Sequence, residues 1–71
     1  MEKGNHMSFI ITVNHSGNEF YLRGTVWTAY SERATVYPDI STGVAALLKA
    51  KPFMPLKLFK KAQVIPLKSA F

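Results

Sequence analysis

The sequence predicts an α+β domain, a small antiparallel sheet in the order β-β-(β)-α-(α)-β with one or two short helices packed on one face. Three observations carry this reading. Two β-branched and aromatic runs, Ser8–Asn14 and Phe20–Arg23, flank a cluster of turn residues. An alanine- and leucine-rich stretch with helical spacing follows Asp39. A further β-type run covers Gln63–Leu67. With 71 residues there is room for one domain, placed at 8–68. Residues 1–7, polar and without periodicity, are read as a disordered tail or tag remnant.

The elements follow in order. Phe9, Ile11 and Val13 alternate onto one face of the first strand. His15–Glu19 supplies turn chemistry, with Gly17 and Asn18 tolerating positive φ, so a hairpin loop of about five residues is expected before Phe20–Arg23. Tyr21 and Arg23 are expected on opposite sides of that strand, leaving one of them at solvent. Gly24 marks a bulge or a bend. Thr25–Tyr30 either extends the second strand or forms a loop carrying Trp27 inward. Ala34–Tyr37 has the composition of a third short strand, closed by Pro38, which lacks a backbone donor.

Asp39 or Ser41 caps the helix. Val44, Leu47, Leu48 and Lys51 follow at helical spacing, Ala45 and Ala46 are strong helix formers, and Pro52 ends it. Pro55 opens a second short helix over Leu56–Ala62, where proline at the first turn costs no hydrogen bond. Pro66 then marks Gln63–Leu67 as an edge strand.

Composition narrows the chemistry. A hydrophobic fraction of 48% and nine aromatics (five Phe, three Tyr, one Trp) favour a folded chain. There is no cysteine, which excludes disulfides, thiolate zinc sites and a cysteine nucleophile. Zero cysteine fits a reducing compartment. No apolar run reaches the roughly 18–20 residues of a membrane span, and no signal peptide is read, so the cytoplasm is the expected location.

Charge is more directional. Through Asp39 the chain carries three basic and four acidic residues, a net of −1; from Ile40 onward it carries six lysines and no acid, giving +5 overall. A half-chain without a carboxylate points to a polyanion or an acidic protein surface as partner.

The Tyr21-Leu22-Arg23 run, the Trp27-Thr28 pair, the step from Ala34 to Tyr37, the alanine- and leucine-rich helix and the closing Ala62–Pro66 together resemble a group of short proteins encoded by bacteriophages, prophages and plasmids. The likeness spans roughly Ser8 to Leu67. The sequence departs from that pattern at Gly43 and in the Pro52–Pro55 break, which shorten or split the helix. The resemblance implies a small accessory protein that acts by binding a host factor, and it carries over no catalytic residue.

Candidate chemistry points the same way. Only His6 and His15 are of the residue type that serves as an acid or base near neutrality, one in the tail and one in the hairpin loop. The carboxylates are scattered, with no pair spaced to separate two pKa values. No phosphate-cradling loop or metal-ligand cluster occurs, so no enzyme, metal or cofactor is expected. Trp27 is read first as a core anchor, with an exposed stacking or docking surface as the alternative.

The lysine-rich segment carries the sharper hypothesis. Lys49, Lys51, Lys57, Lys60 and Lys61 interleave with Phe53, Met54 and Phe59. These eight residues, joined by Arg23, form the expected partner-binding set: an apolar centre rimmed by cations. The expected partner is a host protein with an acidic surface, inhibited by steric occlusion. The alternative is a basic nucleic-acid-binding domain whose lysines contact phosphates. Against it, the cluster lacks arginine, on which base reading leans. No membrane contact is expected, and the chain is read as a monomer or a weak dimer that could pair along the edge near Val64.

Overall fold

The computed structural model describes residues 8–67. The tail expected over residues 1–7, with His6 in it, and Lys68 lie outside the described residues. Four strands, β1 (Ser8–His15), β2 (Asn18–Arg23), β3 (Val26–Thr28) and β4 (Gln63–Leu67), form one antiparallel sheet in the order β3-β2-β1-β4. Two α-helices, α1 (Ile40–Ala50) and α2 (Leu56–Lys61), complete it, so the architecture is the predicted small α+β fold. Short 3₁₀ turns occupy Ser31–Arg33 and Lys51–Phe53. No helix among the described residues is long and apolar enough to cross a membrane.

The first hairpin is tighter than expected. Its turn is Ser16-Gly17 alone, and His15 pairs directly with Asn18. Both turn residues take positive φ, 54° and 81°. That combination defines the mirror-image turn whose twist matches right-twisted strands, and it replaces the five-residue loop. The third strand is also displaced. Gly24, at φ 63°, turns the chain so that Val26–Thr28 pairs back onto β2.

The Ala34–Tyr37 segment, expected as that third strand, instead ties two strands together. The Thr35 N–H donates to the Leu22 carbonyl (3.0 Å), while Tyr37 and Phe9 exchange two backbone hydrogen bonds of 2.8 Å. The Thr35 hydroxyl also accepts from the Gly24 N–H at 2.9 Å, holding the second turn. The β1–β2 ladder runs only over Thr12–His15, so this segment bonds β2 on one side and β1 on the other.

The same bonds explain Pro66. Both peptide groups of Phe9 are engaged by Tyr37, yet Phe9 is also the register partner of Pro66 on β4. A strand residue directs its N–H and C=O to one side, so Pro66 faces Phe9 without hydrogen bonding and its nitrogen points to the outer edge. The proline costs the ladder nothing there.

Asp39 is the N-cap of α1. Its carboxylate accepts from the Thr42 N–H (2.7 Å) and the Ser41 hydroxyl (2.9 Å), so Ser41 supports the cap instead of forming it. Helical spacing alone does not pick out the inner face of α1. Gly43, Leu47 and Ala50 are buried, whereas Val44, Leu48 and Lys51 are exposed. Gly43 sets this rotation. A methyl group built on it would lie 2.9 Å from Val64 Cγ1 and 3.8 Å from Tyr37 Cδ2. The helix therefore approaches the sheet closely at Gly43 and Ala50, with Leu47 filling the core between them.

Beneath it, Ile11, Leu22, Tyr37, Leu47, Ala50 and Met54 form the core, flanked by Phe9, Trp27, Phe59 and Val64. Trp27 is thus half-buried core, as its first reading held; its indole Nε1 is buried with no acceptor among the described residues. Burial pushes the Tyr37 phenol above its ordinary pKa, partly offset by the Thr35 hydroxyl. On β1, burial runs continuously over Ile10–Val13, both faces of the strand, and not only on the face of Ile11 and Val13.

Two outcomes test this packing. Gly43→Ala should improve helix propensity by up to ~1 kcal/mol, yet overpacking against the stiff Val64 should cost about 1–3 kcal/mol. Net destabilisation is expected by chemical denaturation, and in a Val64→Ala background the sign should reverse. The hydrogen bonds from Thr42 and Ser41 hold the Asp39 carboxyl below its ordinary pKa. Its contribution is therefore complete above the ordinary carboxylate range and is lost as pH falls through the lowered folded value. Asp39→Asn, which caps without titrating, should show a flatter acid limb of thermal midpoint against pH.

Candidate docking face

The helix rotation decides what α1 shows to solvent. With Gly43, Leu47 and Ala50 inward, Ile40, Val44 and Leu48 stand outward at four-residue intervals, 55%, 42% and 56% exposed. Residues four apart lie above one another on a helix, so the three form one apolar stripe. Helical spacing in the sequence groups Val44 and Leu48 with Leu47 and does not mark them as exposed. The signal was available in Gly43, Ala46 and Ala50, small residues at helical spacing that permit close approach to a sheet.

The stripe leads to the chain reversal after α1. Lys51–Phe53 forms a 3₁₀ turn with Pro52 near its start, and Pro55 caps α2. Two prolines fix φ at both ends of this link, so Phe53 is presented on a stiff frame. Phe53 is 68% exposed, the most of any large apolar residue described. Met54, beside it, turns inward to 8% and joins the core. It is therefore corrected from an exposed contact to a buried residue whose small remaining surface lines the depression beside Phe53. Phe59 is half-buried against the core, and the Lys51 ammonium lies 5.0 Å from the centre of its ring. Leu48, Lys51, Pro52, Met54 and Leu56 line an open, mainly apolar depression of about 330 Å³.

The remaining predicted positions divide. Lys49, Lys51, Lys57, Lys60 and Lys61 are all exposed. Lys60 and Lys61 line a separate cleft of about 530 Å³ together with Thr12, Asn14, Glu19 and Gln63. The lysines therefore do not share one basin, and the cleft with two of them also holds a carboxylate. Arg23 does not join the set. Tyr21 pairs with Thr28 and Arg23 with Val26, while Leu22 between them is fully buried in the core. Tyr21 and Arg23 thus share the sheet face opposite the helices, as two-residue periodicity requires, and not opposite sides. Arg33 also lies elsewhere, 5.5 Å from the Tyr30 ring centre.

For chemistry there is little to assemble. His15 is exposed at the end of β1. Among the described residues no group of three or more His, Asp or Glu side chains could hold a metal ion. Comparison with known protein families, with curated proteins and with solved structures gives no match for this chain.

Exposure separates contact residues from structural ones, and stability measurements can check the division. Phe53→Ala should change unfolding free energy by no more than about 0.5 kcal/mol, the usual range for exposed positions. Leu22→Ala, at a fully buried site, should cost about 2–5 kcal/mol.

Proposed function

We propose that this chain is a non-enzymatic accessory protein of bacteriophage or mobile-element type that docks on an acidic surface of a host protein and inhibits it by occlusion. The observation carrying this reading is Phe53, 68% exposed on a proline-braced turn with lysines on either side in sequence. Burying such a side chain at an interface contributes about 1.5–3 kcal/mol. Its stiff frame limits the entropy lost on binding. Aromatic anchors of this kind dominate interface energetics, while surrounding charges mainly set encounter rate and partner choice. Lys49, Lys51 and Lys57 supply that steering toward acidic surfaces.

Phosphate binding by the lysines is the competing reading. It is less well supported because Lys51 and the Lys60–Lys61 pair line different depressions and Glu19 shares the cleft of that pair. Nucleic-acid binding through several phosphates would gain from one uninterrupted cationic surface.

Affinity capture from bacterial lysate, with and without nuclease, separates the two. The expected result is one dominant protein that survives nuclease, is lost with Phe53→Ala and is weakened by the combined Lys57→Glu, Lys60→Glu and Lys61→Glu change. Capture that disappears under nuclease and persists in Phe53→Ala would overturn the proposal in favour of nucleic acid.

A further inference from the structure

Phe53 projects from the protein, but the depression beside it is concave, and a complementary partner would have to fill it. Its floor is Met54, already buried, and its walls are Leu48, Pro52 and Leu56. At about 330 Å³ it lies at the bottom of the range of small-molecule pockets, roughly 300–1,000 Å³. It is open and shallow, suited to one bulky side chain and not to an enclosed ligand. Among the described residues Lys51 is the one charged residue in its lining. Its ammonium lies 5.0 Å from the centre of the Phe59 ring, a contact that favours this position. A cation held at the lip of an apolar depression favours an occupant with a carboxylate next to its apolar group. Lys49 and Lys57, both exposed, do not line it and add only long-range positive charge.

Resting on the docking reading above, we infer that this depression takes a single phenylalanine, tryptophan or leucine side chain from an acidic segment of the partner, with Lys51 selecting a carboxylate beside it. A second copy of this chain is a poor occupant. The stretch from Ile40 onward holds six lysines and no acid, so self-association through this face would set like charges together. The contact is reciprocal: Phe53 enters the partner, and the partner enters between Leu48 and Leu56.

The test uses three fluorescein-labelled synthetic peptides: a glutamate-rich one with a central Phe, the same with Ser for Phe, and one with Phe between uncharged flanks. Binding to the full chain would be read by fluorescence anisotropy, and the contact mapped by amide chemical shifts. The glutamate–Phe peptide should saturate below about 1 mM, the weak end of specific binding, with shifts at Leu48, Lys51 and Leu56. Both control peptides should bind roughly ten-fold more weakly, a difference of about 1.4 kcal/mol. Leu56→Ser, at an exposed position, should lose a similar factor without unfolding. Lys51→Met, which keeps the stem over Phe59, should lose several-fold and much of the salt dependence.

Equal binding of the Phe and Ser peptides, shifts confined to the cleft of Lys60 and Lys61, or no saturation below about 1 mM would overturn the inference. Failure here is distinguishable from failure of the docking reading. If Phe53→Ala abolishes capture from lysate but Leu56→Ser does not, the face stands and the depression is not its anchor.

Discussion

The close approach of α1 to β4 at Gly43 is the constraint on which the rest of the structure depends. Only a residue without a side chain fits against Val64 there, and Tyr37 lies on the same spot. Once that contact is fixed, the helix has one rotational setting. Leu47 and Ala50 turn inward, and Ile40, Val44 and Leu48 must turn outward. A chain this small cannot cover both sides of every helix, since domains near 60 residues bury only about 60% of their extended surface. Close packing on one side of α1 thus leaves larger apolar residues on the other.

The sheet is secured by a different device. Thr35 and Tyr37 bond to β2 and β1 respectively, and Thr35 also accepts from Gly24. One extended segment closes a turn, joins two central strands and delivers Tyr37 into the core beneath Gly43. Trp27, Tyr37 and the helix are consequently coupled: a disturbance at any of them reaches the others through the same few side chains. The unpartnered Trp27 indole N–H sits at the margin of this cluster. Burying such a donor costs about 1–3 kcal/mol, and its packing area offsets that cost.

Local chemistry was legible in the sequence, and relative orientation was less so. The β-branched runs gave β1, β2 and β4, Asp39 supplied the helix cap, and Pro52 and Pro66 marked a stop and an edge. Each of these depends on a residue's own backbone and near neighbours. The errors came where tertiary contacts choose among locally acceptable options. Ser16 entered the left-handed region because two twisted strands needed a short turn, not because serine prefers it. Val26–Thr28 became the third strand because Gly24 reversed the chain early. At the candidate face, exposure of Phe53 and the lysines agrees with the reading, while Met54 is covered and Arg23 lies on the other side of the sheet. On α1 the buried set mixes Gly43 and Ala50 with Leu47, so residue size alone does not tell the inner face from the outer.

Pro66 has a consequence beyond the ladder it leaves intact. The outer rim of β4 lacks a donor at that position, so an incoming strand could not zip along it without a break. Main-chain pairing is largely indifferent to sequence, and a protein open to it would stick to many extended chains. With that route interrupted on this edge, recognition there falls to shape and charge carried by side chains. Such recognition can be retuned one residue at a time while the backbone that presents it stays unchanged.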